Sequence, residues 1–465
     1  MNLKKNVILA MVAIFSAHVY SQEATLLASN ARFNPYNGEI STEGGLYFTK
    51  YGGFGDWFEF EQTDESNITI QAKGTVCTRG KGGYPLVHLI IESHEGDVLY
   101  STKFKVYESD FHEYQFKFKI PHGSYFVSVF YLKGPWESKG DNLTVHDLRI
   151  SNAKLAETTP RVKTVKELTD PSIQKYRMGE LIIKSKPGEH VKVTQLQHDF
   201  QFGTSISRRI FMENEDPNFQ KDVEKYNEIL KANFNSATPA ILYWHRTEEI
   251  KNKPDFSHAD EMYQWCKEND LSIRGHCIFW GCNIENRMQP WIEKTDDSEL
   301  RMLIKRRAEQ VTSRYKGLIK EYDLNNEMVH HSYFRNRLAD ITRDMAYFAK
   351  KGDPDAKLFV NDFNIFCHDA LDEYVQLIRE LLDNDIPIDG IGIQGHLENV
   401  IDYRHIWSAL EELSQFNLPI RITEIDVNVG DEALQAKALE DVYRACFAHP
   451  NVIGITMWDF WETVH

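Results

Sequence analysis

The stretch Arg421-Ile-Thr-Glu-Ile-Asp-Val427 has the composition of a short buried strand with acidic residues toward its end. Apolar, β-rich runs of this kind recur along the second part of the chain, and amphipathic helical stretches separate them. The strand candidates end near Gly203, Thr238, Phe279, Glu327, Asp362, His396, Val427 and Phe460. Eight such units, mostly about 30 to 40 residues apart, predict a (β/α)8 barrel. A doubly wound open sheet is the competing prediction, but such sheets usually have fewer strands.

The first third of the chain has a different pattern. Between about Thr25 and Ile150, short segments alternate apolar and polar residues and are broken by Gly and Asp, which is typical of an antiparallel β-sandwich. Residues 151–170 lose this alternation and contain Thr-Thr-Pro, which indicates a connection between domains. An opening β segment, Gly179 to Val193, precedes the first barrel strand. The predicted division is a signal peptide at 1–21, a β-sandwich at 22–152, a linker at 153–171 and a barrel domain at 172–465.

The N-terminus and the overall charge restrict the location and the partners. Lys4 and Lys5 precede an apolar run from Val7 to Phe15, which is the pattern of a cleaved secretory signal and predicts a secreted or periplasmic protein. Neither this run nor any later one reaches the roughly 20 residues of a membrane span. The 465 residues carry 53 Lys and Arg against 69 Asp and Glu, a net charge of −16, without a long basic run. A neutral partner is therefore favoured over nucleic acid.

Two glutamates lie at predicted strand ends and are the candidates for chemistry. Glu327 ends the fourth strand, and Glu424 lies in the seventh. The carboxyl ends of barrel strands meet at one mouth, where two carboxyl groups can divide the roles of proton donor and nucleophile. Two buried acids paired with Arg or backbone groups are the structural alternative. Further polar and aromatic strand ends lie around them: Arg274, His276, Trp280, Asn361, Asp362, Gln394, His396 and Trp458.

These motifs, in order and spacing, resemble those of glycoside hydrolase family 10, which holds the retaining endo-β-1,4-xylanases. The resemblance runs from about Ser172 to the end of the chain and includes a first-strand segment at 197–204. The motifs that carry it are Arg274-Gly-His-Cys-Ile-Phe-Trp280, Asp323-Leu-Asn-Asn-Glu327, Asn361-Asp-Phe-Asn364, Gly392-Ile-Gln-Gly-His396 and Ile422-Thr-Glu-Ile-Asp426. The resemblance implies a polysaccharide partner, xylan or a related β-glycan, and no metal or organic cofactor in the barrel.

The resemblance also implies a role for each matched residue. Glu327 is implied as the acid/base and Glu424 as the nucleophile, with their carboxyl groups about 5 to 5.5 Å apart. Asn326 is implied to bond the sugar 2-hydroxyl, and His396, with Asp426 behind it, to hold the nucleophile. The other implied contacts to the substrate are His276, Trp280, Asn361, Gln394 and Trp458.

One segment and two single positions depart from the family pattern. Where members usually carry Glu-Asn-x-x-Lys-Trp to bind the glycone sugars, this chain has Thr238-Pro-Ala-Ile-Leu-Tyr-Trp244, without Glu, Asn or Lys. Gly281 stands where many members have His, and Phe363 where many have Tyr. Loss of hydrogen-bonding groups changes discrimination between sugars, so we expect the glycan specificity to differ.

The predicted sandwich resembles carbohydrate-binding modules in residues 130–136 and 141–150. In such modules a loop Asp and Asn hold calcium near the ligand, and Asp141 and Asn142 match that pair, which allows a structural calcium here. A sandwich with a purely structural role is the equal alternative, because aromatic residues at alternate positions are usually core.

Other functions remain open at this point. The chain ends five residues after Phe460, so we expect the eighth helix to be absent or another segment to cover the last strand. This and the altered glycone segment allow a glycan-binding barrel that does not cleave, or a β-glycosidase acting on another glycan. A third alternative is a di-metal enzyme, since Glu327-x-x-His330 and Glu462-x-x-His465 have the Glu-x-x-His spacing, but that motif belongs on bundle helices.

Overall fold

The computed structural model describes residues 23–36, 38–61, 63–75, 83–133, 141–196, 198–212, 214, 217–284 and 287–461. The predicted signal peptide and Glu462-x-x-His465 lie outside these residues. Within them, no helix combines the length and the apolar character that crossing a bilayer requires.

The N-terminal part is a β-sandwich, as the alternation predicts. Its strands are β1 (Glu23–Leu27), β2 (Phe33–Tyr36), β3 (Glu39–Ile40), β4 (Leu46–Phe48), β5 (Gly52–Phe60), β6 (Asp64–Thr75), β7 (Leu86–Glu92), β8 (Val98–Lys105), β9 (His112–Ile120), β10 (Gly123–Leu132), β11 (Asn142–Ser151) and β12 (Ala153–Leu155). One sheet has the order β3-β4-β11-β6-β9, with β1 beside β11. The other has the order β12-β5-β10-β7-β8, with β2 beside β5. Buried residues such as Phe58, Ile70 and Leu89 form the core between the sheets.

The C-terminal part is a closed barrel of eight parallel strands, which confirms the predicted fold. Its strands are β13 (Gln201–Ile206), β14 (Ser236–Pro239), β15 (Ser272–Gly275) with its extension β16 (Phe279–Trp280), β17 (Ile319–Asn326), β18 (Lys357–Asp362), β19 (Gly390–Ile393) with β20 (His396–Leu397), β21 (Ile420–Val427) and β22 (Val452–Met457). The ring closes because β13 pairs with both β14 and β22, all in parallel.

Helices surround the barrel and connect its strands. They are α1 (Val165–Tyr176), α2 (Pro217–Asn233), α3 (Trp244–Thr247), α4 (Ser257–Glu268), α5 (Pro290–Lys294), α6 (Asp297–Arg314), α7 (Tyr333–Arg337), α8 (Ile341–Gly352), α9 (Leu371–Asp383), α10 (Tyr403–Ser414) and α11 (Glu432–Ala448). In α9 the residues Leu371, Tyr374, Leu377 and Leu381 are buried, as expected for a helix with one apolar face.

Two sequence predictions between the domains were wrong in detail. The predicted linker, residues 153–171, includes β12, which pairs with β5, and the first half of α1, which starts at the capping box of Thr164 and Glu167. The predicted β segment Gly179 to Val193 is not a strand. Its apolar side chains, Leu181 and Ile182 among them, are exposed. Burial of apolar surface therefore does not stabilise a paired strand here.

The segment α1 lies against the last helix of the barrel. The Arg177 guanidinium, just after α1, donates hydrogen bonds to the carbonyls of Phe447, His449 and Val452. Val452 is the first residue of β22. A segment that precedes the barrel in sequence therefore covers the start of its last strand.

Buried contacts join the sandwich to the barrel. The Tyr51 hydroxyl and His405 Nδ1 are hydrogen-bonded at 2.7 Å, and His88 Nδ1 and His405 Nε2 at 2.9 Å. The Arg404 guanidinium donates to Glu92 at 2.6 Å. Apolar residues of the sandwich, including Phe130, belong to the same buried cluster as the barrel core. The face of the sandwich that carries these residues is thus packed against the barrel, while the core between the two sheets is separate.

We expect this histidine contact to make stability depend on pH. Burial, followed by the positive charges of His368, Lys103 and Arg404, lowers the pKa of His88 from 6.5 to about 3. Between these values the unfolded chain binds a proton that the folded chain does not, so stability falls as the pH drops through this window. His88→Gln should reduce the fall in thermal midpoint between about pH 7.5 and pH 5, measured by circular dichroism.

His112→Gln, on an exposed position of β9, is the matched control and should retain the native pH dependence. An unchanged pH dependence in His88→Gln would contradict the assignment.

Candidate active site

Glu327 and Glu424 lie at the carboxyl ends of β17 and β21, and one hydrogen-bonded chain connects them. The Asn361 amide nitrogen donates to Glu424 Oε1 at 2.8 Å and to Asn326 Oδ1 at 2.9 Å. The Asn326 amide in turn donates to Glu327 Oε1 at 3.1 Å. Both carboxyl groups are buried. The two acids therefore belong to one site, as the strand pattern predicts.

The backbone around Asn361 and Glu327 explains how the strands place these groups. A side chain at Gly392 would put its Cβ 2.6 Å from Asn361 Oδ1, so the neighbouring strand needs glycine here. Glu327 has a left-handed backbone with φ of 59°, which costs free energy for a residue with a side chain. Its backbone N–H donates to Asn361 O at 2.7 Å, which ties it to the adjacent strand.

Glu327 is in the less polar of the two environments. Trp280 Nε1 donates to its Oε2 at 2.7 Å, and Gln394 Nε2 donates to its Oε1 at 2.8 Å. Burial raises the pKa of Glu327 to about 7, and the negative charges of Asp362 and Glu424 add to this against the opposing hydrogen bond from Gln394. Near neutral pH this carboxyl group carries a proton in much of the population and can donate it.

Glu424 is in a cationic environment instead. His276 Nδ1 lies 3.8 Å from Glu424 Oε1, and His396 Nε2 lies 3.3 Å from its Oε2. Burial alone would raise the pKa of Glu424, but the charge of His276 and the charge and hydrogen bond of His396 outweigh it, and the pKa is lowered. The Glu424 carboxylate is therefore ionised and available as a nucleophile.

Carboxylates behind the two histidines raise their pKa values against the opposing effect of burial. His396 Nδ1 bonds to Asp426, and although burial opposes it, this bond together with Glu424 raises the pKa of His396 to about 10. His276 Nδ1 bonds to Asp323 at 2.7 Å, and Asp323 is also held by both terminal nitrogens of Arg274. The Arg274–Asp323 pair supports the site from beneath. Its role was not assigned from sequence, although its alternate position in β17 marks Asp323 as inward-facing.

Aromatic side chains form the walls of the site. The ring of Trp458 lies 5.4 Å from that of His276 and 6.3 Å from that of His396. The structure thus brings together every residue that the sequence predicted here: Asn326, Glu327, His276, Trp280, Asn361, Gln394, His396, Glu424, Asp426 and Trp458. Sequence reasoning missed Tyr243 as a member. Its ring lies 5.2 Å from that of His276 and 5.6 Å from that of Trp280.

The departures from the family pattern have structural reasons. A Cβ at Gly281 would lie 2.6 Å from His331 O, so a larger residue does not fit. Phe363 stacks on His330 with a centroid distance of 3.6 Å. In the segment after β14, Ile241, Leu242 and Trp244 are buried, and Tyr243 is the residue that faces the site.

Metal sites are not evident in the part of the chain that the structure describes, where no group of three or more His, Cys, Asp or Glu is suited to hold an ion. His330 Nδ1, of the Glu-x-x-His motif, bonds to Asp362 at 2.5 Å. The Asp141 carboxylate lies 2.9 Å from the Lys133 ammonium. Residues 134–140 beside Asp141 lie outside the described residues, and the calcium stays a prediction.

Comparison with known proteins gives consistent matches. A family model described as "Glycosyl hydrolase family 10" matches residues 193–463. Endo-1,4-beta-xylanase 1 of Arabidopsis thaliana is 35% identical over 350 residues, which cover 72% of this chain and 34% of that protein. Anti-sigma-I factor RsgI6 of Acetivibrio thermocellus is 36% identical over 285 residues, 60% of this chain and 36% of that protein. The chain thus spans about a third of the length of these relatives.

A solved structure with the same architecture is xylanase 10B of Thermotoga petrophila in complex with xylobiose. It superposes with a TM-score of 0.51 at 25% identity and covers 58% of this chain and 87% of that one.

We expect Glu327→Gln to raise the thermal midpoint relative to the native chain more at about pH 8 than at about pH 4.5. Folding raises the pKa of Glu327 from 4.5 to about 7, so its contribution to stability is full below pH 4.5 and is lost as the pH rises through 7. Glutamine does not titrate and avoids this loss. Glu373→Gln, at an exposed position of α9, is the control. If the difference in thermal midpoint between Glu327→Gln and the native chain is equal at both pH values, the raised pKa of Glu327 is contradicted.

Proposed function

Because the chain belongs to glycosyl hydrolase family 10, we propose that it is a retaining endo-β-glycanase of the endo-1,4-β-xylanase type, with Glu424 as nucleophile and Glu327 as acid/base. The observation that carries the proposal is the opposite displacement of two pKa values within one hydrogen-bonded site. That of Glu327 is raised to about 7, and that of Glu424 is lowered. Such a pair supplies a proton donor and an anionic nucleophile at the same pH.

In the first step the Glu424 carboxylate attacks the anomeric carbon while Glu327 donates its proton to the leaving glycosidic oxygen. The C–O bond to the leaving group breaks as the bond to Glu424 forms, which gives a covalent glycosyl-enzyme. His276 and His396 hold the attacking carboxylate in place. Asn326 and Gln394 are placed to bond sugar hydroxyls beside Glu327, and Trp280, Trp458 and Tyr243 offer apolar faces to the ring.

The second step uses the same groups in reverse. Formation of the ester removes the negative charge of Glu424, which is one of the charges that raise the pKa of Glu327. The pKa of Glu327 therefore falls in the intermediate, and its carboxylate can accept a proton from water. That water attacks the anomeric carbon, releases Glu424 and gives net retention of configuration.

The remaining parts of the chain fit an exported enzyme. The apolar run behind Lys4 and Lys5 supports secretion or delivery to the periplasm. The β-sandwich is proposed to bind carbohydrate, on its resemblance to carbohydrate-binding modules. Its buried apolar contact with the barrel favours a fixed position beside the catalytic domain.

A second candidate is a barrel that binds a glycan without cleaving it, or a β-glycosidase that acts on another glycan. The observation that favours it is the apolar segment Ile241-Leu-Tyr-Trp244, where Tyr243 takes a place at the site that a polar residue would use to bond a sugar hydroxyl. The relative named as an anti-sigma factor adds to this alternative.

Activity of acid variants decides between the candidates. We expect Glu424→Gln to lower kcat/KM on xylan oligosaccharides by at least about a thousandfold, because no nucleophile remains. Glu327→Gln should lose activity on xylan but keep the first step on a dinitrophenyl xylobioside, whose leaving group needs no proton. Azide should then accelerate turnover of the second substrate and give a β-glycosyl azide, identified by mass spectrometry and NMR.

Glu373→Gln is the control for expression and folding in this series. Native protein that binds xylan oligosaccharides but turns over neither substrate would support the binding protein instead.

The pH dependence of kcat/KM should be bell-shaped. Activity requires Glu424 ionised and Glu327 protonated, so it is lost on the acidic side as Glu424 takes up a proton below its lowered pKa. On the basic side it is lost as Glu327 ionises, with a midpoint near pH 7. Glu327→Gln should lack the basic limb when assayed with the dinitrophenyl xylobioside. A native profile that remains flat through pH 8 would contradict the role of Glu327.

A further inference from the structure

Two arginines, Arg246 of α3 and Arg287 of the loop before α5, lie at the rim of the site. The Arg246 guanidinium carbon is 5.1 Å from the centroid of the Tyr243 ring, and that of Arg287 is 4.9 Å from the Trp280 ring. Trp280 in turn contacts Glu327, and Tyr243 contacts His276. Each guanidinium is therefore one aromatic ring away from the residues that border the reacting carboxylates.

The charges of both arginines also act on His245. Its ring stacks on Tyr243 with centroids 5.3 Å apart and planes inclined by 25°. Burial first, and then the positive charges of Arg246, Arg287 and Arg307, lower the pKa of His245 to about 4. The guanidinium groups of Arg246 and Arg287 thus place two positive charges beside Tyr243 and Trp280, although the chain as a whole has a net charge of −16.

Within the described part of the chain, neither arginine forms an ion pair. Among the described residues no carboxylate oxygen lies within 4.0 Å of Arg246 or Arg287, whereas Arg274 beneath the site is paired with Asp323. The Arg246 side chain donates to the carbonyl of Ala240 at 3.0 Å. Both arginines are exposed to solvent. Two guanidinium groups with unused donors therefore point to a ligand that brings negative charge.

The chemistry of the guanidinium restricts the ligand. It has five N–H donors and no acceptor, and it matches the paired oxygens of a carboxylate or a sulfate. Neutral sugar hydroxyls need both donors and acceptors and are served by the amides of Asn326 and Gln394. We propose that Arg246 and Arg287 form a subsite for an anionic substituent, a uronosyl carboxylate or a sulfate ester, carried by the glycan. This inference rests on the proposed hydrolytic function and names the class of its substrate.

The test compares xylo-oligosaccharides of one length in four forms: neutral, glucuronosyl-substituted, the same compound with its carboxyl reduced to an alcohol, and sulfated. We expect the native enzyme to show a kcat/KM at least about tenfold higher for an acidic form than for the carboxyl-reduced compound. The glucuronosyl and sulfated arms identify the source of the charge. The preference should weaken when salt rises from about 0.05 to 0.5 M.

Arg246→Gln and Arg287→Gln should each lower the ratio of acidic to carboxyl-reduced kcat/KM several-fold, and the double variant should bring it close to one. Arg379→Gln, an exposed arginine of α9 that bonds to Gln415, is the matched control and should leave the ratio unchanged. A merely structural role, in which the arginines brace Tyr243 and Trp280, would lower both rates together and leave the ratio as it was.

The inference is overturned if the native enzyme does not prefer either acidic form, or if the preference persists in the double variant. If the enzyme cleaves the neutral compound in that case, the proposed hydrolytic function is retained. If none of the four compounds is cleaved, the proposed function fails. The subsite is then tested by calorimetric binding of the same intact compounds, where loss of the preference in the double variant supports it and equal affinities overturn it.

Discussion

The amide group of Asn361 is the contact on which the arrangement of the site depends. It donates to Glu424 and to Asn326, which bonds Glu327, so it fixes the relative position of two acids that come from distant strands. Its own oxygen accepts from the Thr423 hydroxyl at 2.6 Å, next to the nucleophile. Since a buried amide with satisfied bonds has few alternative orientations, Asn361 holds both carboxyl groups in a defined arrangement.

Around this link the barrel builds two different environments. On one side an indole and an amide surround Glu327, which favours the neutral acid. On the other, imidazolium groups supported by Asp323 and Asp426 surround Glu424, which favours the anion. The rim adds a third contribution, the positive charge of Arg246 and Arg287. The overall negative charge of the chain suggested a neutral partner, whereas these two arginines place positive charge beside the aromatic rings of the site.

Much of this was readable from the sequence, and the failures have physical causes. The strands that end at Asp362 and Val427 were predicted because short apolar runs with acidic residues near their ends are typical of buried strands that lead to a site. The segment Gly179 to Val193 was also predicted as β from its sequence, but it does not pack against another part of the described structure. The periodicity of a sequence does not show whether a packing partner exists. Tyr243 was missed because an aromatic residue in an apolar run is normally core. The contact of His88 with His405 joins distant parts of the chain, and the sequence around either residue does not indicate it.

The buried contact between sandwich and barrel has a practical meaning for anyone who isolates the catalytic part. Tyr51, Ile90, Phe130 and Leu132 are almost fully covered in the intact chain, and their neighbours include barrel residues. Truncation ahead of the barrel would uncover an apolar patch beside His405 and remove the Glu92 partner of Arg404, which would keep its bonds to Asp402. Such a surface is prone to self-association. A soluble fragment of the barrel would need polar replacements on this patch. A chimeric protein that moves the sandwich to another domain would have to carry over the contact residues of both domains.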